Sequence, residues 1–561
     1  MKRLFYPPFT SFCVKPRLRS RNGVHSGDEL QPQSPVGLVS ICSVIFFAVA
    51  VFFEGYVGGH SENRAIASES TVTAQTTQNE VSSPKKSLVI MLDGMRSDVL
   101  FTAPTPNVDS LLDGSWAGKD TEYYATWTFQ AHTNLDADPS SATNHVAIIT
   151  GVTATKNNVY QNGKIGEGKY DEYPSYPERL KKGNPALKTA YLYNWDEDAL
   201  IRTGADIVFR PSDEDGAVRD AKLIDKATEI LRGEIDSLTL YLDSMDMYGH
   251  GKGFSPFVDE YYNKMTEYDA AIGKLLSAVR NRPEFKKESW QIILVSDHGG
   301  LGTSHGIKDC ENCYTIPIIV ASKDGARGRM KNQPLNCCVA AYVMQHMTGA
   351  VPADFDGKIC ETYSDHTAEA SDAEIVYRQP ENTEHYAEKI GSPEALEFGA
   401  DQDFSITLWF RTNQPQQGDP VLIGNKDWTS GMNPGLVLAA NTNDQDGNQL
   451  WLNLSDGTIR DDLRPLAYQP DGTWWFIAVS AERKGNATLY LVRSDGRISF
   501  ISDDISNLGD ITSKLSWNIG SDGTGDYRYR LNGEIRGLTI RNRAISPEEV
   551  KIWSTKSPSD S

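Results

Sequence analysis

Three stretches of this 561-residue chain end alike: an apolar run stops at an acidic residue that opens a polar loop. They are 88–92 before Asp93, 238–242 before Asp243 and on to Asp246 and His250, and 292–296 before Asp297 and His298. Short, unbroken apolar runs read as strands buried on both faces of a parallel sheet. In open α/β sheets, ligands and chemistry gather at the carboxyl ends of the strands. Three buried strands delivering Asp and His to one edge predict a metal site there, not more packed core.

The chain is too long for one ordinary core, so two or more domains are expected. A formal charge of −20 speaks against a nucleic acid polymer as partner. It leaves room for a small phosphorylated substrate, because bound cations reverse the local field. The first hydrophobic event is the uncharged run 36–53, preceded by Lys2, Arg3, Lys15, Arg17, Arg19 and Arg21 and closed by Glu54. About 18 apolar residues suffice to span a bilayer, and the basic flank keeps the N-terminus in the cytoplasm. The expectation is a cytoplasmic basic segment at 1–35 and a transmembrane signal anchor at 36–58. The rest then lies outside, in a periplasmic, luminal or extracellular space. Cleavage near 58–60, as in a signal peptide, is the competing reading, and it would make the protein secreted. Residues 59–84, rich in Ser, Thr, Gln, Glu and Asn, read as a flexible stalk.

From residue 85 to 350 strands and helices alternate, which predicts a mainly parallel sheet covered by helices on both faces. The segments 189–193 and 315–320 are further strand candidates. Val258, Tyr261, Met265, Tyr268, Ile272, Leu275 and Val279 recur at steps of three and four, one helical stripe facing the sheet. The aromatic stretch 123–129 either lines a pocket or packs beneath a loop, and packing is the reading adopted. Residues 351–384 read as a linker. From 385 to 555 the character is all-β: Phe404, Ile406, Leu408 and Phe410 alternate with polar partners, and Asp-Gly turns stand at Asp456-Gly457, Asp471-Gly472 and Asp495-Gly496. A β-sandwich of jelly-roll type is expected. Ser546-Pro547-Glu548-Glu549 opens one C-terminal helix. Of seven cysteines, Cys310, Cys313, Cys337, Cys338 and Cys360 fall outside the anchor. Four of them suffice for two disulfides in any of three pairings. Sequons stand at Asn453 and Asn486.

Asp246-x-x-Gly-His250, Asp297-His298 and Ser304-His305-Gly306, taken with Asp93, supply three carboxylates and three imidazoles. That number and mixture suit two zinc ions or other divalent cations, each with an open position. A nucleophile is expected between Asp93 and Asp246 at a helix start, where free N–H groups favour a phosphoryl oxygen. The segment 140–151 fits: a hydroxyl cluster, then an apolar helical stretch stopped by Gly151. A capping serine with no further role is the competing reading.

These motifs resemble the alkaline phosphatase superfamily, and within it the type I phosphodiesterase/nucleotide pyrophosphatase branch. The counterparts are Asp93-Gly94, Ser141-Ala142-Thr143-Asn144-His145 leading to Thr150-Gly151, Asp246 to His250, Asp297-His298-Gly299 and His305-Gly306. The resemblance implies Ser141 as nucleophile and metal ligand. It places one zinc on Asp246, His250 and His305 and the other on Asp93, Asp297 and His298, with Asn144 bonding a phosphoryl oxygen. It implies hydrolysis of phosphodiesters, of nucleotides or lipid headgroups, by double displacement through a phosphoserine. The family nucleophile is usually Thr, and His305 stands only seven positions after His298, where nucleotide enzymes carry a long insertion. A phosphomonoesterase or phosphonate hydrolase therefore stays open. The sulfatase nucleophile pattern is not seen. The segment 385–555 resembles laminin G-like, concanavalin A-like modules, which bind glycans or proteins, some through Ca2+. An adhesin with a degenerate hydrolase domain is the rival from another class.

Overall fold

The computed structural model describes residues 83–558, apart from 119–121, 135, 309, 324, 332, 364–373, 381–387, 444–446 and 557. The basic segment, the anchor and nearly all of the stalk lie outside the described residues. Among those described, no helix is long and apolar enough to cross a membrane.

Eight strands form one sheet: β1 (Lys85–Leu92), β2 (Tyr124–His132), β3 (Thr189–Leu192), β4 (Ile207–Phe209), β5 (Ser237–Leu242), β6 (Ser289–Ser296), β7 (Thr315–Ser322) and β8 (Gly328–Arg329). Their order is β4-β3-β5-β1-β6-β7-β2-β8. The first five in that order run parallel, and β7 runs against both of its neighbours. Alternate side chains of β1 serve opposite faces. Leu88, Ile90 and Leu92 join the apolar cluster of the helices Gly216–Arg232 and Asp259–Arg280. Val89 and Met91 join that of Ser141–Thr150 and Cys338–Thr348. The helical stripe expected from Val258 is the buried face of Asp259–Arg280, with Val258 as its N-cap. The aromatic stretch is packing: Tyr123 lies against Trp116 and Phe285, and Phe129 against Phe101.

Register does the positioning. Leu92 pairs with Leu242 on one side and Ser296 on the other. The three residues that follow, Asp93, Asp243 and Asp297, therefore leave the sheet side by side.

The C-terminal part is a sandwich of two six-stranded sheets, whose strand pairs are all antiparallel. Its first strand, Ile375–Arg378, pairs with Glu534–Arg541 and begins inside the stretch read as linker. Gly457, Gly472 and Gly496 take positive φ, as their turns require. Ser546 and Glu549 form a reciprocal capping box on the helix Pro547–Trp553.

The sheet containing Phe404–Arg411 does not turn its outer face to water. Trp409, Trp474, Phe476, Tyr490 and Phe500 join Val99, Val108, Tyr261 and Tyr268 in one apolar cluster, so these tryptophans and their neighbours are core. Polar contacts lock the seam: the Arg497 guanidinium lies 4.1 Å over the Tyr262 ring and 2.7 Å from Asp259. Deeper in, the buried Arg96 donates to Asp98, to the carbonyls of Phe254 and Gly300, to Asn312 Oδ1 and to Ser499 Oγ. Ser499 in turn donates to Asp98 Oδ2 at 2.7 Å.

One expectation needs correction. The five cysteines are free thiols, and the expected disulfides are not formed. Cys310 shares a thiol hydrogen bond with Cys313, and Cys338 with Cys360. Asn453 and Asn486 are both buried on strands, which leaves neither sequon presentable in the folded chain.

Replacing Arg96 by Ala strands the Asp98 carboxylate in a dry interface and is expected to cost about 3–5 kcal/mol. Ser499→Ala, which removes only neighbouring hydrogen bonds, should cost about 1–2 kcal/mol. Denaturant unfolding of the two variants checks both the size and the order.

Candidate active site

Each acidic side chain arrives by a different local route. Asp93 ends β1, its N–H bonded to Leu242 O at 2.9 Å. The next residue must be small: a Cβ on Gly94, whose φ is +65°, would sit 2.8 Å from Asp246 Oδ1 and 2.9 Å from Asp246 Cα. Gly94 N–H instead donates to Asp297 Oδ1 at 3.0 Å, tying the first and third strand ends together. Asp246 occupies the first turn of the helix Ser244–Lys252. His250 follows one turn later on the same face, its Nε2 3.3 Å from Asp246 Oδ2. Gly249 permits this, because a Cβ there would meet the Phe254 ring at 2.2 Å.

The three imidazoles share one arrangement. His250 Nδ1 lies 2.9 Å from Thr303 O, His298 Nδ1 2.8 Å from Gly299 O and His305 Nδ1 3.0 Å from Pro139 O. A carbonyl only accepts, so Nδ1 carries the proton and Nε2 is presented to the site. His298 Nε2 stands 3.2 Å from Asp93 Oδ1, 3.4 Å from Asp297 Oδ2 and 3.2 Å from Ser141 Oγ. Its ring stacks on His305 at 3.9 Å.

Ser141 is the first residue of the helix Ser141–Thr150, and Ser140 is the N-cap. The structure thus brings Asp93, Ser141, Asp246, His250, Asp297, His298 and His305 to one edge. Ligand atoms of Asp246, His250 and His305 lie within 4.8 Å of one another, as do those of Asp93, Asp246 and His298. Three carboxylate oxygens, Asp93 Oδ1, Asp246 Oδ1 and Asp297 Oδ2, are buried without a hydrogen bond. Lone oxygens of this kind among lone-pair imidazoles fit divalent cations.

Proton affinities show the same crowding. Burial works against charge on His298, yet Asp297 and Asp93 outweigh it and push the imidazole up to about 10, so a proton and a cation compete for its Nε2. Burial and the neighbouring His298 push His305 down to about 3. Burial, then Asp93, Asp246 and Asp220, push the Asp243 carboxyl up to about 8.

Asn144 is the predicted residue that does not reach the site. Its Nδ2 donates to Ser140 O at 3.0 Å and its Oδ1 accepts from Asn336 at 2.8 Å, so its carboxamide braces the helix start. Asn162 stands closer to the chemistry. Its Oδ1 accepts from the N–H of Ala142, the residue after Ser141, at 2.9 Å, and the side chain is otherwise exposed. No motif spacing in the loop after Gly151 singles it out. His145 was also passed over, although it lies one turn beyond Ser141. Fully buried, it sets Nδ1 2.9 Å from Asp198 and Nε2 3.2 Å from Asp297 and 3.5 Å from Asp93. Tyr241 adds a hydroxyl, donating to Asp93 Oδ2 at 2.6 Å. Ligand atoms of His145, Asp93 and Asp297 also lie within 4.8 Å of one another, so His145 stands as a third candidate grouping as well as an orienter of both carboxylates.

A family model described as type I phosphodiesterase/nucleotide pyrophosphatase matches residues 87–449, and one described as the concanavalin A-like lectin/glucanases superfamily matches 386–551. An uncharacterized pyrophosphatase/phosphodiesterase of Schizosaccharomyces pombe is 25% identical over 286 residues, 48% of this chain. The chain spans about half the length (53%) of that curated relative. Among solved structures, murine ectonucleotide pyrophosphatase/phosphodiesterase 5 aligns at 13% identity and TM-score 0.36, over 49% of this chain and 98% of its own. A lipoteichoic acid synthase from Listeria monocytogenes aligns at 14% and 0.35, over 49% and 74%. With the strand-end acids, the three imidazoles and Ser141 already gathered at one edge, the match across 87–449 settles the kinship: the chain belongs to the type I phosphodiesterase/nucleotide pyrophosphatase family.

Proposed function

We propose that the protein is a metal-dependent phosphodiesterase that works through Ser141, outside the cytoplasm, on a nucleotide or lipid-headgroup diester. The observation that carries this reading is the position of Ser141 Oγ, 3.2 Å from His298 Nε2, among buried carboxylate oxygens that no protein donor satisfies. Family membership supports the reaction class. The apolar run 36–53 with its basic flank supports the location.

Asp246, His250 and His305 would hold one cation, and Asp93, Asp297 and His298 the other, and Ser141 Oγ, 3.2 Å from His298 Nε2, would serve as a further ligand. Zinc bound by these residues would supply Lewis acidity and would lower the proton affinity of an oxygen that it holds. The chain's own residues do the rest. Ser141 Oγ forms a bond to phosphorus as the bond to the leaving oxygen breaks, and the departing alcohol takes up the serine's proton. Water then cleaves the Ser141–phosphorus bond, releasing a phosphomonoester and restoring the hydroxyl. Asn162, bonded to the Ala142 N–H beside the nucleophile, would offer its N–H2 group to a non-bridging oxygen, a role for which the Asn144 carboxamide is already spent. His145, pinned by Asp198, and Tyr241 keep Asp93 and Asp297 aimed inward.

Turnover of bis(4-nitrophenyl) phosphate is expected to exceed that of 4-nitrophenyl phosphate. The reverse order would make the protein a monoesterase. Ser141→Ala should lower diester turnover by roughly 10^3-fold or more with bound metal retained, and undiminished turnover would remove the mechanism.

Dialysis against a chelator should abolish turnover and lower the melting temperature, with zinc restoring both. Asp246→Ala should lose about half of the bound metal by elemental analysis. Full metal content in that variant would refute the assigned ligands.

A further inference from the structure

We propose that Asp220, which belongs to none of the motifs of the site, is the positioning residue for one of the two metal-binding groups. It holds the short helix that carries Asp246 and His250. The proposal rests on the metal-dependent reading above and adds to it a residue from another element.

The helix Ser244–Lys252 is poorly equipped to hold itself. It has 9 residues, with Gly249 and Gly251 inside and Gly253 as C-cap. Helices so short are unstable on their own, and each internal glycine weakens them further. A helix start also leaves N–H groups without an internal partner. Here the N-cap residue, Asp243, makes no side-chain capping bond. The first helical bond, from Met247 N–H to Asp243 O, is long at 3.4 Å. Yet the helix must be placed closely. Asp246 lies in its first turn, with its Cα only 2.9 Å from where a Cβ on Gly94 would stand.

The missing caps come from two other helices. Asp220, on Gly216–Arg232 and only 3% exposed, accepts from Asp243 N–H at 3.1 Å with Oδ1 and from Ser244 N–H at 2.9 Å with Oδ2. Tyr268, on Asp259–Arg280, donates its O–H to Asp220 Oδ2 at 2.6 Å, and its oxygen accepts from Met245 N–H at 3.2 Å. The Ser244 hydroxyl donates to the same Oδ2, and Asn194 Nδ2 donates to Oδ1 from the far side. Only a carboxylate offers two acceptor oxygens for so many donors, and an Asn there would turn an N–H2 group toward N–H groups. Another negative charge beside Asp93, Asp243, Asp246 and Asp297 is unfavourable, and these donors are what offsets it.

The effect is asymmetric. Asp246 and His250 group with His305, whereas Asp93, Asp297 and His298 directly follow β1 and β6 and do not ride on this helix. The molecule also contains a matched control. Asp269, on the same helix as Tyr268 and equally buried, accepts from Asn107 N–H at 3.0 Å and Val108 N–H at 2.9 Å. It thereby caps Pro106–Asp113, a helix that carries none of the ligands.

The test strips the full chain of metal and titrates it with Zn2+ against a competing chelator, and with Co2+ by visible absorption. Asp220→Asn should weaken about 10–100-fold the equivalent that Asp246→Ala loses, alter the Co2+ band of that equivalent, and leave the other within about threefold. Tyr268→Phe should weaken the same equivalent by a smaller factor, and it carries the comparison if Asp220→Asn does not fold. Asp269→Asn should leave both equivalents at wild-type affinity. Unchanged affinity in Asp220→Asn or, where that variant does not fold, in Tyr268→Phe would overturn the proposal. So would loss of both equivalents alike, or an equal loss in Asp269→Asn, with the metal-dependent reading left standing. A wild-type chain that binds no metal would overturn both.

Discussion

Like charges brought together away from water are the constraint on which this molecule depends. The parallel register of β1, β5 and β6 sets Asp93, Asp243 and Asp297 at adjacent strand ends, and one helical turn adds Asp246. Four carboxylates so placed repel one another strongly in a low-dielectric setting. The surroundings are organised around that repulsion. Imidazoles are anchored by backbone carbonyls so that they turn one chosen nitrogen inward. Tyr241 donates to Asp93, and Gly94 N–H to Asp297. A site of this kind has little stability of its own, and its worth lies in the cations and anions that it can gather.

Much of this was legible because it follows from short-range rules. An apolar run ending at Asp is a local pattern, and a parallel sheet turns local patterns into neighbours. The stripe on Asp259–Arg280 and the capping box at Ser546 and Glu549 are likewise written in spacings of three and four residues. Gly94 is readable in retrospect for the same reason: only a residue without Cβ lets Asp246 approach.

The remainder was hidden because it depends on contacts across long sequence separations. Asn144 sits in the most telling motif of the chain, yet Asn336, 192 residues away, accounts for its side chain. Asn162 meets the start of the nucleophile's helix through the Ala142 N–H, a contact that no periodicity reveals. The tryptophans of the all-β part divide between the catalytic part's core and the sandwich's own apolar clusters. Residue type alone does not separate the two. The cysteines were read from their compartment, and compartment does not dictate geometry.

The apolar cluster that runs from Val99 and Tyr261 into Phe476 and Phe500 bears on how this chain can change over time. Its members come from both the catalytic part and the sandwich, so each part covers apolar surface of the other. Truncation near Gly349 would leave a wall of helices wet and sticky, so the halves must be inherited, expressed and degraded together.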